Sequence, residues 1–160
     1  MTSPARVRDM STAPDEIVLE VDVGAPVERT WAAATDWDRQ GEWMLGSRVE
    51  ATARDGRGLG GGLRAVTGFG PFRVVDTMEI TGWTPPYGAY VRHTGRVVRG
   101  TGAFEVRERA GGSTFVWSEK LDLPLGPLGR LGFRLVRPAV GWGLCRSLRS
   151  FAAWAERHPG

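Results

Sequence analysis

VGWGLCRSLRSFAAWAERH, residues 140–158, is the stretch on which the fold turns. Placed at about 100° per residue, Val140, Leu144, Leu148, Phe151, Ala152 and Ala155 share one face, with Arg146, Arg149, Glu156 and Arg157 opposite. A helix with one apolar stripe must bury it against another layer. Upstream of Pro138 the phase differs, because Leu128, Leu131 and Leu135 lie opposite Arg130, Arg134 and Arg137. The apolar face swings by about half a turn across Pro138, Gly141 and Gly143. The spacing therefore predicts a shorter helical piece, a kink or break, and a long helix ending near His158.

The partner layer lies earlier in the chain. Glu16 to Val23 alternates, with Ile17, Leu19, Val21 and Val23 on one face, as in a strand half exposed to water. Ala25-Pro26-Val27-Glu28 then marks a helix start, with proline at the first turn and an early acid. That helix runs to about Ala34, and Asp36-Trp37-Asp38 opens a second short one. Residues 47–122 read as six strands punctuated by Gly58–Gly62, Gly68-Phe69-Gly70-Pro71, Thr84-Pro85-Pro86, Gly95-Arg96 and Ala110-Gly111-Gly112. No linker or internal repeat divides the chain. Residues 1–14 are expected to be a loose tail and residues 15–158 a single domain. The order predicts an α+β fold: a curved seven-stranded antiparallel sheet wrapped around the terminal helix.

Strand parity identifies what faces inward. One face of 72–80 carries Phe72, Val74, Asp76, Met78 and Ile80, and that of 98–106 carries Val98, Gly100, Gly102, Phe104 and Val106. On 115–121 the same face holds Phe115, Trp117, Glu119 and Leu121. A two-residue loop at Gly95-Arg96 pairs His93 with Val98, Val91 with Gly100 and Ala89 with Gly102, which adds Tyr87, Ala89, Val91 and His93 to the inward set. A symmetric turn at Thr84-Pro85 places Asp76 directly across from His93, and Glu119 pairs with Gly102. The centre of this face is sparse, with Ala51, Ala65, Ala89, Gly100 and Gly102. Glycine on a buried strand face signals close approach, here by the terminal helix or by a ligand.

These elements resemble the START/Bet v 1-like helix-grip (SRPBCC) superfamily, most closely its polyketide cyclase/dehydrase and lipid-transport branch. The resemblance is carried by Ala25-Pro26-Val27-Glu28-Arg29-Thr30-Trp31, Asp36-Trp37, Glu42-Trp43, Thr84-Pro85-Pro86 and Trp117-Ser118-Glu119. It spans nearly the whole domain. It implies a deep apolar cavity beneath the long helix, and no universal catalytic motif. The resemblance implies kinship with cyclases and dehydratases of polyketides, with lipid and hormone binders, and with coenzyme-associated carriers.

Three ionisable side chains, Asp76, His93 and Glu119, interrupt the apolar strand faces. An unpaired buried carboxylate costs several kcal/mol, so each needs a partner or an altered pKa. A carboxylate orienting an imidazole is a general-base arrangement, and aldol cyclisation or dehydration needs a base at the carbon α to a carbonyl and an acid at the departing hydroxyl. The three are candidate catalytic residues; the alternative is a structural role bonded to Tyr90, a tryptophan N–H or an arginine. Candidate ligand contacts are Trp117, Ala89, Val91, Gly100, Gly102, Phe104, Met78, Trp43, Leu144 and Leu148. Trp31 reads as core. Gly58–Gly62 is no phosphate loop, since neither Gly-Lys-Ser/Thr nor a helix follows. Cys145 lies about 60° off the apolar centre of the helix and reads as packing.

Composition sets the outer bounds. The chain has 160 residues, 41% hydrophobic and 24% charged, which fits one globular domain and not a disordered chain. A single cysteine excludes an internal disulfide and a multi-thiolate metal site, and two histidines are too few for a histidine-rich centre. No metal or cofactor is expected. The N-terminus lacks the apolar core of a secretory signal, so a cytoplasmic protein is expected. Residues 125–160 carry +5 of a total of +3, leaving −2 on the rest. Lys120 is the one lysine, and arginine with 23 glycines fits a GC-rich bacterial genome. Positive charge alone does not argue for nucleic acid. Residues 125–137 could touch a membrane surface or be a solvated helix beside the cavity mouth, the simpler reading. A monomer or weak homodimer is expected. Two functions stay open: a cofactor-independent cyclase/dehydratase-type enzyme acting on a polyketide-like substrate, or a carrier or sensor of a lipid, quinone or similar ligand.

Overall fold

The computed structural model describes residues 5–160 of the chain. The strands are β1 (Val7–Asp9), β2 (Glu16–Val23), β3 (Ser47–Ala53), β4 (Gly62–Phe69), β5 (Phe72–Thr84), β6 (Gly88–Thr94), β7 (Arg99–Arg109) and β8 (Gly112–Leu121). Helix α1 (Val27–Ala34) and a 3₁₀ helix (Trp37–Glu42) follow β2, and α2 (Pro127–Arg157) closes the chain. The strands form one antiparallel sheet in the order β1-β2-β8-β7-β6-β5-β4-β3. This is the helix-grip arrangement, with eight strands where seven were expected.

The additional strand is β1. Val7–Asp9 pairs with β2, and Arg8 bonds Glu20 at 2.7 Å and Asp22 at 2.9 Å. Three residues are too few to display a period of two, so the stretch read as loose tail. The part of that expectation covering Met1–Pro4 lies outside the described residues.

Leu148, Phe151, Ala152 and Ala155 of α2 are buried against Leu19, Val21 and Val23 of β2, Val27, Trp31, Ala33 and Ala34 of α1, and Phe115 of β8. Each fully buried Leu, Val or Phe side chain contributes about 1.5–3 kcal/mol. Polar contacts hold the same end of the helix: Glu156 accepts the Gly24 N–H at 2.9 Å, and His158 Nε2 lies 2.9 Å from Asp36. Trp37, Val49, Leu63 and Ala65 form a smaller cluster on the β3–β4 side, and Phe104 and Trp83 pack against both clusters. Among the described residues, no helix is long and apolar enough to cross a membrane.

Three local expectations are corrected. The break at Pro138 is absent, and α2 runs as one helix of 31 residues. Pro138 is exposed, so the carbonyl that its missing N–H leaves free can turn to water. In the β5–β6 hairpin the register slips between Ile80 and Gly82, which puts Met78 opposite His93 and leaves Asp76 two residues further along. The β6–β7 connection is four residues long, Gly95 to Val98, so His93 pairs with Gly100, Val91 with Gly102 and Ala89 with Phe104. Relative to the expected pairings both hairpins are displaced by two residues, so the side chains of 76–80, 89–93 and 100–104 keep their faces, although the bulge itself shifts β5 by one. Glu119 lies opposite Gly102, as expected. Phe72 and Val74 are exposed where the β4–β5 hairpin outruns the helix.

Candidate functional site

Between the sheet and α2 lies a cavity of about 340 Å³. Trp37, Gln40 and Met44 line it from the 3₁₀ helix and the turn after it, Val49, Leu63 and Ala65 from β3 and β4, and Met78, Ala89 and Val91 from β5 and β6. Phe104 and Trp117 come from β7 and β8, and Ala139, Val140, Gly143, Leu144 and Ser147 from α2. Leu45, Thr67, Ala139 and Val140 both line it and are exposed, so they mark its mouth. Ser147 fixes one edge of the mouth by accepting the Leu45 N–H at 2.9 Å.

Asp76, His93 and Glu119 converge on the wall of this cavity. The buried His93 ring places Nδ1 2.7 Å from Asp76 Oδ2 and Nε2 2.8 Å from Glu119 Oε2. The other Glu119 oxygen accepts the Trp117 indole N–H at 2.8 Å. Asp76 Oδ1 is buried and has no hydrogen-bond partner among the described residues. Burial pushes the His93 pKa down. The hydrogen bonds to Asp76 and Glu119, with the charges of both, outweigh it and raise the pKa from 6.5 to about 10. The ring is therefore held in its protonated form, with each nitrogen facing a carboxyl oxygen. Among the described residues no set of three or more His, Cys, Asp or Glu is arranged to hold a metal ion.

The chain matches the family model described as "Polyketide cyclase / dehydrase and lipid transport" over residues 14–156. It belongs to that family. Solved structures agree on the fold. A Thermus thermophilus protein superposes with a TM-score of 0.70 at 19% identity, covering 88% of this chain and 96% of that one. A protein from Arthrobacter aurescens gives 0.71 at 9% identity over 99% and 95%. The di-domain aromatase/cyclase StfQ from the steffimycin biosynthetic pathway gives 0.67 at 12% identity, over 89% of this chain and 50% of that one. No curated protein matches the chain in sequence.

In this member of the polyketide cyclase/dehydrase and lipid-transport family, Trp117, Ala89, Val91, Phe104, Met78 and Leu144 line the cavity. Trp43, Leu148, Gly100 and Gly102 stand outside the lining. Trp43 is core, edge-on to Phe151 at 4.8 Å between ring centroids, and Leu148 is fully buried. Gly100 has φ +122°, and a Cβ there would collide with the Lys120 carbonyl, so its backbone path explains it. A Cβ on Gly102 would lie 2.7 Å from Glu119 Oε2, so this glycine leaves room for the carboxylate. Trp31 packs against Trp83 in the core. The half-buried Cys145 packs beside the core, and burial raises its thiol pKa. Tyr90 bonds Glu105 on the opposite face and is no partner of the three.

The sequence reading missed Trp37, Gln40, Met44, Val49 and Leu63 as cavity residues. Val49 and Leu63 were accessible to the parity test that found Met78. Trp37, Gln40 and Met44 were not, because a six-residue 3₁₀ helix and the turn after it are too short to show a stripe.

Proposed function

We propose that the cavity binds a hydrophobic small molecule and that Asp76, His93 and Glu119 perform acid–base chemistry of the cyclase/dehydratase type on a polyketide-like substrate. The observation that carries this reading is a histidine whose two ring nitrogens each meet a carboxyl group on the wall of an otherwise apolar cavity. Its raised pKa makes His93 the acid, and the free Oδ1 lone pair makes Asp76 the base. Asp76 takes the proton from the carbon between two carbonyls, and the resulting enolate carbon forms the new bond to a second carbonyl. His93 protonates the oxygen formed there and is reprotonated by Asp76, to which it is hydrogen bonded. A second passage of the same proton cycle removes the oxygen as water. Glu119 holds the ring and stabilises its charge.

A carrier of a lipid, quinone or similar ligand is the second reading, favoured by the engagement of both His93 nitrogens with protein groups. Turnover of a poly-β-ketone surrogate separates the two. Asp76→Asn and His93→Ala are expected to lower it by about 10²–10⁴-fold. Ligand retention, followed by native mass spectrometry, should change far less. Unchanged turnover in both variants, or no turnover by the parent alongside a retained lipid, would establish the carrier.

A further inference from the structure

The first half of α2 turns its leucines outward. Leu128, Leu131, Leu135 and Trp142 recur on one face and are 71%, 55%, 76% and 63% exposed. Their phase is opposite to that of the buried Leu148 and Phe151, which explains why none of the described elements covers them. Exposed apolar surface of this extent marks an interaction site. From Leu123 to Ala155 the chain carries five arginines and no Asp or Glu. Arg146 and Arg149 continue the same outward face beyond Trp142, and the exposed Arg130 and Arg134 lie around the helix from the leucines. Of the exposed mouth residues, Ala139 lies beside this face of the same helix.

We propose that this face of α2 docks on an anionic lipid bilayer, with the cavity mouth turned toward the membrane surface. An apolar stripe that runs on into exposed arginine is the composition of a helix that lies in the bilayer interface. A second copy of the chain is a poorer occupant, because pairing two such faces would bring arginines together with no carboxylate between them. An anionic surface neutralises the same charge, at about fivefold in affinity per arginine near the headgroups. Lying at the interface also gives an apolar ligand a path into the cavity that avoids water. Docking of this kind is independent of the chemistry the cavity performs.

Flotation with phosphatidylcholine vesicles, with and without phosphatidylglycerol, tests it on the full chain. The protein should float with the phosphatidylglycerol vesicles only, and added salt should release it. Leu131→Ser combined with Leu135→Ser should weaken flotation by about tenfold or more, and Arg149→Gln by about fivefold. These side chains are exposed, so circular dichroism and melting temperature should not change. No flotation, or flotation indifferent to both lipid charge and the serine substitutions, would overturn the docking. A concentration-dependent dimer in sedimentation that the serine substitutions dissolve would also overturn it and assign the face to a second copy.

Discussion

At the scale of the residue, the His93 imidazolium determines how stability depends on pH. Its folded pKa of about 10 lies above the unfolded value of 6.5, so the protonated ring favours the folded state. That contribution is fully present below pH 6.5 and is lost as pH rises through about 10. Melting temperature measured across this window should fall in the parent, and the fall should be shallower in His93→Gln. Cys145 and the tyrosines also titrate above neutrality, so the difference between the two proteins is the informative quantity. Equal slopes would mean that His93 is neutral in the folded protein. Each member of the set could be found in the sequence, because a charged residue on an apolar strand face stands out. The bond from His93 to Asp76 was found for a partly incorrect reason, since the two lie diagonally and not opposite each other.

At the scale of the element, β7 shows how a strand makes room for a charge. Gly102 has ordinary strand geometry, so alanine there is strained only by the Glu119 carboxylate facing it. Gly102→Ala should fold, push Glu119 off His93 Nε2 and cost about 1–3 kcal/mol in chemical denaturation. The imidazole, followed by NMR, should titrate lower than in the parent; an unshifted titration would show that Glu119 contributes little to holding the proton. Both glycines were noticed in the sequence as a thinned inward face. Their separate causes were not legible, because one depends on a neighbouring carbonyl and the other on a neighbouring side chain. Helix α2 teaches a similar lesson. Its change of phase at Pro138 was plain from the pattern, yet the helix continues through it and the upstream leucines stay in solvent.

At the scale of the whole molecule, the cavity exists because the sheet curls around α2 while small side chains line its centre. Ala65→Leu extends a side chain into that space from β4. It should reduce retention of an apolar ligand by at least about tenfold while leaving stability within about 1 kcal/mol of the parent, since cavity filling offsets crowding. A marked fall in melting temperature would instead show that Ala65 is tightly packed. The sequence by itself determined the order of the elements from β2 onward, the face on which Met78, Val91, His93, Phe104, Trp117 and Glu119 stand, and the helix that must cover it. These follow from periods of 2 and 3.6, which are local properties of the chain. Only the tertiary structure decided strand β1, the two register slips, and which inward residues border empty space and which border the core. Those outcomes depend on loop lengths, a bulge and the distance between two layers, none of which has a periodic signature. Local patterning fixes which way a side chain points, and packing alone decides what it meets there.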